Sequence, residues 1–261
     1  MMKKFFADVK KYMYYMYYSA KSELKSEVAN SYLNWVWWIL EPLCFMGIYS
    51  FVFHFFFKGE VKYLTAFIFL GITMWEFFNK MLKTSVKLVR SNKAIVSKVY
   101  VPKYVLVIEK MALNGFKTAI SFAIVVLLMV INRVPLSLHM LWFIPTVLSF
   151  FIFTFGICCV FLHFGVYIED LGNITNIALR LLFYATGVFY NLADKVTGVL
   201  GYWIVRINPL ALYITAMRDS LLYDAMPNML WVGVWTVIGV LLSVLGIRLI
   251  QKNENSYVKV L

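Results

Sequence analysis

The chain has 261 residues, 62% of them hydrophobic and 15% charged, with a formal net charge of +12. So few charged residues cannot cover a sizeable water-soluble domain, and the apolar residues fall in long runs parted by short polar stretches, which excludes an ordinary soluble fold. The surplus of lysine and arginine then reads as a signal of membrane orientation, and no nucleic-acid partner is needed to explain it.

Residues 1–34 come first. Phe6, Val9, Met13, Met16, Ala20, Leu24 and Val28 recur at three- and four-residue spacing, which predicts a helix with one apolar face. Lys4, Lys11, Ser22 and Lys25 fall opposite, and Tyr12, Tyr14, Tyr15, Tyr17 and Tyr18 crowd the boundary. That composition suits an amphipathic helix lying in the headgroup layer. The helix either only anchors the chain or also offers Glu23, Lys25, Ser26 and Glu27, at its polar end, to a cytoplasmic partner. The lysine-rich start has no uninterrupted apolar core or small-residue cleavage site and does not read as a signal peptide.

A helix needs roughly 20 apolar residues to cross the hydrocarbon core. Segments 35–57, 63–78 (running on to 82), 111–131, 141–168, 174–192 and 229–250 predict an all-α polytopic protein with six transmembrane helices over residues 35–261. Lysine and arginine collect on alternate sides of these spans. Lys3, Lys4, Lys10, Lys11, Lys21 and Lys25 precede the first. Lys80, Lys83, Lys87, Arg90, Lys93, Lys98 and Lys103 separate the second from the third, and Arg248, Lys252 and Lys259 close the chain. The other side has Lys58, Lys62, Arg133, Lys195, Arg206 and Arg218, the last three offset by Asp194, Asp219 and Asp224. Basic loops stay cytoplasmic, so both termini, including the tail 251–261, are expected inside.

Between the second and third spans, the basic stretch 83–103 is interleaved with Val86, Leu88, Val89, Ile95, Val96 and Val99. Asn92 offers a cap for a short helix over 93–100 that Pro102 ends. Held beneath two spans, such a helix is a lever; the plainer alternative is a basic loop obeying the charge rule. Residues 193–228 are apolar but broken by Asp194, Gly198, Gly201, Arg206, Asn208-Pro209, Arg218-Asp219 and Pro227, so no unbroken piece is long enough to cross. Re-entrant outer helices between spans five and six fit that pattern, with a distorted extra pair of spans as the alternative.

Aromatic residues make up 18% of the chain. Trp75, Trp142, Trp203, Trp231 and Trp235 fit interfacial belts and packing, whereas Trp35, Trp37 and Trp38 cluster more densely than anchoring requires. Aromatic faces of this kind either anchor the span in lipid or line a path on which flat ring faces stack weakly and repeatedly. Glu41, Glu76, Lys117 and Arg180 lie in or near spans, where ionisable groups are functional candidates. Of the two cations, Lys117 either meets an anionic group or snorkels to the inner face, and Arg180 is favoured as the functional one by its depth in the fifth span.

Catalytic motifs do not emerge. Asn114-Gly115-Phe116-Lys117-Thr118 lacks the first glycine of a phosphate loop, His54, His139 and His163 stand apart among apolar residues, and Cys44, Cys158 and Cys159 fall within spans as small apolar residues. No cofactor or metal site is expected in the chain, and any ATP and magnesium would be bound by another polypeptide.

Four ordered stretches carry a family likeness. The run from Ser31 through Trp35, Trp37 and Trp38 to Glu41-Pro42-Leu43 resembles the start of the first span in type-2 ABC transporter permeases that export O-antigen, capsule or teichoic acid. Ser91-Asn92-Lys93 through Pro102-Lys103 is similar to their cytoplasmic coupling loop. Ile168-Glu169-Asp170-Leu171-Gly172 is similar to the loop before their fifth span. Asn208-Pro209-Leu210 with Ala216-Met217-Arg218-Asp219 resembles the segment before their last. The chain departs from the family at Asn34, where glycine is common, and at Glu169-Asp170, where Arg-Asp is common.

The resemblance implies a homodimer in the bacterial cytoplasmic membrane, paired with two copies of a nucleotide-binding ATPase subunit and moving a polyprenyl-diphosphate-linked polysaccharide. It implies ATPase coupling through Glu23, Lys25, Glu27, Asn92, Lys93, Ile95, Lys98 and Tyr100. It also implies a substrate pathway that uses Trp35, Trp37, Trp38, Glu41 and Arg180, and an outer gate in 193–228 containing Asn208, Pro209, Arg218 and Asp219. The alternative cargo is a drug or another lipid. A secondary transporter should show internal repeats, and none is visible; a membrane enzyme should show a catalytic cluster.

Overall fold

The computed structural model describes residues 2–29, 33–56, 61–192 and 198–260. Ser31, Tyr32, Lys58, Asp194 and Lys195 lie outside the described residues, as do the side chains of Asn34, His54 and Lys259. Among the described residues every regular element is helical. Three stretches are long and apolar enough to cross a membrane: Lys103–Ile131, Leu138–Tyr167 and Met229–Tyr257.

In chain order the α-helices are α1 (Met2–Lys11), α2 (Met13–Val28), α3 (Trp37–Phe56), α4 (Leu64–Ser91), α5 (Lys93–Val96), α6 (Lys103–Ile131), α7 (Phe143–Tyr167), α8 (Leu171–Ala185), α9 (Gly198–Ile207), α10 (Pro209–Leu222) and α11 (Met229–Val260). Short 3-10 turns at Asn34–Val36 and Leu138–Trp142 lead into α3 and α7.

Several elements differ in extent from the sequence expectation. The amino-terminal segment is two helices, because the backbone breaks at Tyr12 (φ −95°, ψ 9°). That break changes the buried face: Phe6 and Met13 are exposed, while Phe5, Val9, Tyr12 and Tyr15 pack on the core beside buried Met16. α4 runs nine residues past Leu82, since the basic stretch after the span keeps helical spacing and has no proline or glycine before Ser91. α8 stops at Ala185, seven residues short of the expected end, where the chain turns through Gly187 at φ +69°, a conformation glycine adopts without steric cost.

α7 sits at the centre, packed most extensively on α11 and next on α4. Glycine permits both contacts. A Cβ on Gly165 would lie 2.1 Å from the Val86 carbonyl oxygen of α4, and one on Gly156 would lie 2.7 Å from that of Gly239 in α11. Small residues that let backbones approach this closely are the usual cement of membrane helices, where lipid removes the hydrophobic drive to associate. Residues of α4 such as Ile68, Leu70 and Met81 are fully buried in the resulting core.

α9 and α10 are 10 and 14 residues long. At 1.5 Å per residue neither reaches the roughly 30 Å of the hydrocarbon core. Most of α10 is nonetheless buried against α4 and α7.

Candidate functional site

A cavity of about 720 Å³ opens between α2, α3, α4, α6 and α8. Trp37, Trp38, Pro42 and Phe45 of α3 form one wall, and Phe69, Ile72 and Trp75 of α4 face them. Its ionisable groups are Glu27, Glu41, Glu76, Lys80 and Lys117. The cavity therefore joins an aromatic surface to a charged patch fed from four helices.

The charged patch has a defined arrangement. Lys117 of α6 pairs with the Glu27 carboxylate, and its ammonium lies 5.9 Å from the centre of the Trp38 ring. Trp38 also meets Phe116 edge-on at 6.0 Å. α2 is held along α6 by two further contacts, the Lys110–Glu23 pair and a hydrogen bond of 2.9 Å from the Ser19 hydroxyl to Glu109. Lys80 is close enough to Lys117, Glu27 and Glu41 for their charges to act on it.

Of the expected pathway residues, Trp37, Trp38 and Glu41 line this cavity, whereas Trp35 precedes it and is 58% exposed. Arg180 is exposed on α8, is not among the cavity-lining residues and forms no ion pair with Glu41 or Glu76. Lys80 belongs to the cavity because α4 is one continuous helix. Glu76, Lys80, Lys83 and Lys87 recur at four, three and four residues and are all exposed, so they form a single charged stripe that periodicity alone could have revealed.

The expected coupling residues divide between two surfaces. Glu23 and Glu27 face α6 as described, and Lys25 is exposed. α5 is one turn, Lys93–Val96, and not the longer helix over 93–100. Asn92 does not cap it: its amide donates back to the Leu88 carbonyl at 2.8 Å, closing the end of α4 instead. Val96 anchors the turn in the core, leaving Lys93, Ile95, Lys98 and Val99 exposed.

The segment after α5 is tied down from two directions. The Tyr100 hydroxyl donates to Glu254 near the end of α11 at 2.9 Å, and the Tyr12 hydroxyl donates to the Tyr100 carbonyl at 3.0 Å. Lys103 lies 3.7 Å from the same Glu254, both nearly fully buried, and Tyr104 is bonded to Asp8 of α1. α1 and α11 thus meet at the segment from Tyr100 to Tyr104. Close by, Arg90 pairs with Glu169 at 3.2 Å and donates to the Val166 carbonyl at 3.1 Å. The departure at Glu169 consequently has a local answer in the cation that faces it.

At the other end of the bundle, Asn208 caps α10. Its side-chain oxygen accepts from the amides of Leu210 and Ala211, and its amide group donates to the Ala185 carbonyl at 3.0 Å. Pro209 occupies the first turn, where a missing amide hydrogen costs nothing. Arg218 is only 4% exposed and makes no ion pair at 4.0 Å or less among the described residues. Its guanidinium donates to the carbonyls of Phe67 (3.1 and 3.3 Å), Gly187 (2.9 Å) and Val188 (2.6 Å). The group lies over the Phe67 ring at 3.3 Å. A side chain at Gly71 would collide with it, since a Cβ there falls 2.5 Å from Nη2. Arg218 therefore fastens α10 to α4 and to the turn after α8. Asp219 is half-buried beside it. In the loop before α11, the His139 ring lies 2.7 Å from Asp224; that contact, and then the Ser137 hydroxyl, hold the Asp224 carboxyl below its usual range.

Comparison with known proteins agrees with this architecture. Over 240 residues, 92% of both chains, the sequence is 25% identical to an O-antigen export system permease protein RfbA of Klebsiella pneumoniae. It is 24% identical over 221 residues to a protein of the same name from Myxococcus xanthus, covering 83% of this chain and 85% of the relative. The family model for the ABC-2 type transporter matches residues 15–222, from α2 through α10. The chain belongs to the ABC-2 type transporter family.

Proposed function

We propose that the chain is the membrane-spanning subunit of an ATP-driven exporter that moves a polyprenyl-diphosphate-linked cell-surface polysaccharide, of O-antigen, capsule or teichoic acid type, across the bacterial cytoplasmic membrane. The observation that carries this reading is the cavity, in which Trp37 and Trp38 stand beside Lys80 and Lys117. Indole faces tolerate sliding sugar rings, and a paired cationic site suits a diphosphate. The full-length similarity to permeases named for O-antigen export supports the same cargo.

In this reading two copies of the chain form the conduit, each crossing the membrane six times with both termini in the cytoplasm, and each pairs with one ATPase subunit that binds ATP and magnesium. α3, α4 and α8 supply the spans beyond the three longest apolar helices. α9 and α10 form the outer gate as re-entrant helices, with Asn208, Pro209, Arg218 and Asp219 fixing their geometry; the burial of α10 protects its broken backbone from lipid. Trp35 and Arg180, both exposed, extend the pathway outside the cavity.

The ATPase would dock on two surfaces. One is the exposed turn bearing Lys93, Ile95 and Lys98, an apolar tip ringed by cations; the other is the outer side of α2 around Lys25. Asn92 and Tyr100 hold the first surface in place through Leu88 and Glu254. Closure of the ATPase dimer would push both surfaces and turn the helices behind them as rigid bodies.

The test is reconstitution of the chain with its ATPase subunit in vesicles. ATP-dependent export of lipid-linked glycan is expected, and joint replacement of Lys93, Ile95 and Lys98 should abolish it while leaving the permease inserted. Undiminished export by that triple variant would remove the docking assignment. Transport of a hydrophobic drug in place of the glycan would move the cargo to the alternative class.

A further inference from the structure

The three contacts that bind α2 to α6 are unequal. Ser19–Glu109 and Lys110–Glu23 lie outside the cavity lining, whereas Glu27–Lys117 is part of its wall. A group that enters the cavity meets the last of these contacts and none of the others. Lys117 is held between one carboxylate and the Trp38 ring, and Lys80 faces the same space with no carboxylate within ion-pair distance among the described residues. Only one of the two cations has a bonded carboxylate, supplied by α2, and the remaining acids of the wall, Glu41 and Glu76, are not bonded to either lysine.

We propose that Lys80 and Lys117 form a diphosphate-binding pair, and that Glu27 is a displaceable counter-ion whose release frees the end of α2. The inference deepens the reading above and rests on a cargo with an anionic lipid headgroup. A diphosphate brings two negative charges where Glu27 brings one, and inside a cavity partly shielded from water that difference acts with less screening than at an open surface. With Lys117 engaged by phosphate and still stacked near Trp38, Glu27 loses its partner. α2 then keeps its contacts at Ser19 and Glu23 and is loosened over its last turn. The side of α2 assigned to ATPase docking would thereby report that the cavity is occupied.

Linkage makes the converse hold. Whatever draws the end of α2 away from α6 removes the competitor for Lys117, and so raises affinity for the headgroup by the same factor. The exposed stripe Lys80, Lys83 and Lys87 on α4 continues from the cavity toward Arg90 at the coupling end, giving an anionic headgroup a run of cations to follow.

The experiment uses the full-length chain in nanodiscs of neutral phosphatidylcholine, with hydrogen exchange followed over α2. Polyprenyl diphosphate should raise exchange in the last turn of α2 and leave the Ser19 turn unchanged; inorganic diphosphate should do the same at higher concentration. Glu27→Gln should show the raised exchange without ligand and bind polyprenyl diphosphate about two- to fivefold more tightly, the span expected for one partly exposed ion pair. Lys117→Gln should lose the response, and Lys252→Gln, which removes an exposed cation elsewhere, should keep it. Unchanged α2 exchange at saturating polyprenyl diphosphate, or equal affinity in Glu27→Gln and wild type, would overturn the proposal. A response to inorganic diphosphate with none to the lipid form would overturn the headgroup as ligand. The wild-type exchange arm needs no substitution, so a variant that failed to fold would not remove the test. If α2 responds but ATPase-containing vesicles export no glycan, the export reading fails and the latch stands; export with a silent α2 means the reverse.

Discussion

The α4–α7–α11 bundle and the α2–α3 edge are built on opposite principles. The bundle is joined by glycine-mediated backbone contact, and its inward side chains are mostly apolar, with buried polar contacts such as Ser149–Tyr213 and His163–Tyr257 set among them. The edge around the cavity is held by long charged side chains and by aromatic rings that remain partly exposed. Packed backbone is bistable at best and does not yield gradually, whereas ion pairs in contact with water can be exchanged for other partners at small cost. A transporter needs both: a rigid body to be turned, and a surface on which cargo can be taken up and let go. Arg218 belongs with the bundle although it is charged, because it is held by buried backbone carbonyls and by the Phe67 ring.

Removing that arginine should therefore produce the largest effect. Arg218→Leu leaves three buried carbonyls without their donor, at about 1–3 kcal/mol each, so a loss of several kcal/mol and little recoverable folded protein are expected. Denaturation of purified protein in detergent measures it, and near-normal stability would show that α10 is not fastened through this group. Gly165→Ala comes next. Its Cβ would strike the Val86 carbonyl, a backbone atom that cannot swing aside, and overpacking of this kind costs about 1–3 kcal/mol. A stability equal to wild type would mean the α4–α7 contact is softer than its geometry.

At the edge the same measurement should barely move. Glu23→Gln breaks one partly exposed pair with Lys110 and should cost no more than about 1 kcal/mol, yet alter the coupling of ATP hydrolysis to transport. A loss as large as that of Gly165→Ala would erase the distinction between the two regions. The smallest effect concerns pH. Asp224 is depressed in the folded chain by His139, so the stabilisation it adds is present above the ordinary carboxylate range and disappears as pH falls through the lowered value. Asp224→Asn should flatten that acid limb and leave stability at neutral pH almost unchanged; an unaltered acid limb would show that the contact adds nothing.

Much of the helical layout was legible from hydropathy and helix breakers: α3 and α7 start and stop near the predicted edges, α6 ends and α11 begins where expected although α6 starts eight residues earlier and α11 runs ten further, and the breaks in 193–228 separate α9 from α10. What periodicity could not supply was partnership between distant residues. The pairing of Glu27 could not be read, because nothing in a sequence marks Lys117, ninety residues away, as its partner. Nor could the hold of Arg218 on α4, because backbone carbonyls have no letter of their own and the clue, Gly71, lies 147 positions earlier. Asn92 read as a cap for α5, yet its side-chain amide donates to the Leu88 carbonyl and closes the end of α4. Lys80 was hidden by the segmentation into span and loop, although its spacing from Glu76 and Lys83 marked one helix face. Arg180 stood out by its depth in an apolar run, and depth along a helix does not reveal which side of it faces a cavity.

We propose that the cavity between α3, α4 and α6 receives a lipid-linked glycan by its diphosphate. A polyprenyl-diphosphate glycan carrying a photoreactive group next to the phosphates tests it most directly, cross-linked in native membranes and mapped by mass spectrometry. Adducts on the peptides bearing Trp38, Lys80 and Lys117, suppressed by unlabelled substrate, are the predicted result. Competable adducts confined to α8 around Arg180, with none on those three peptides, would contradict it.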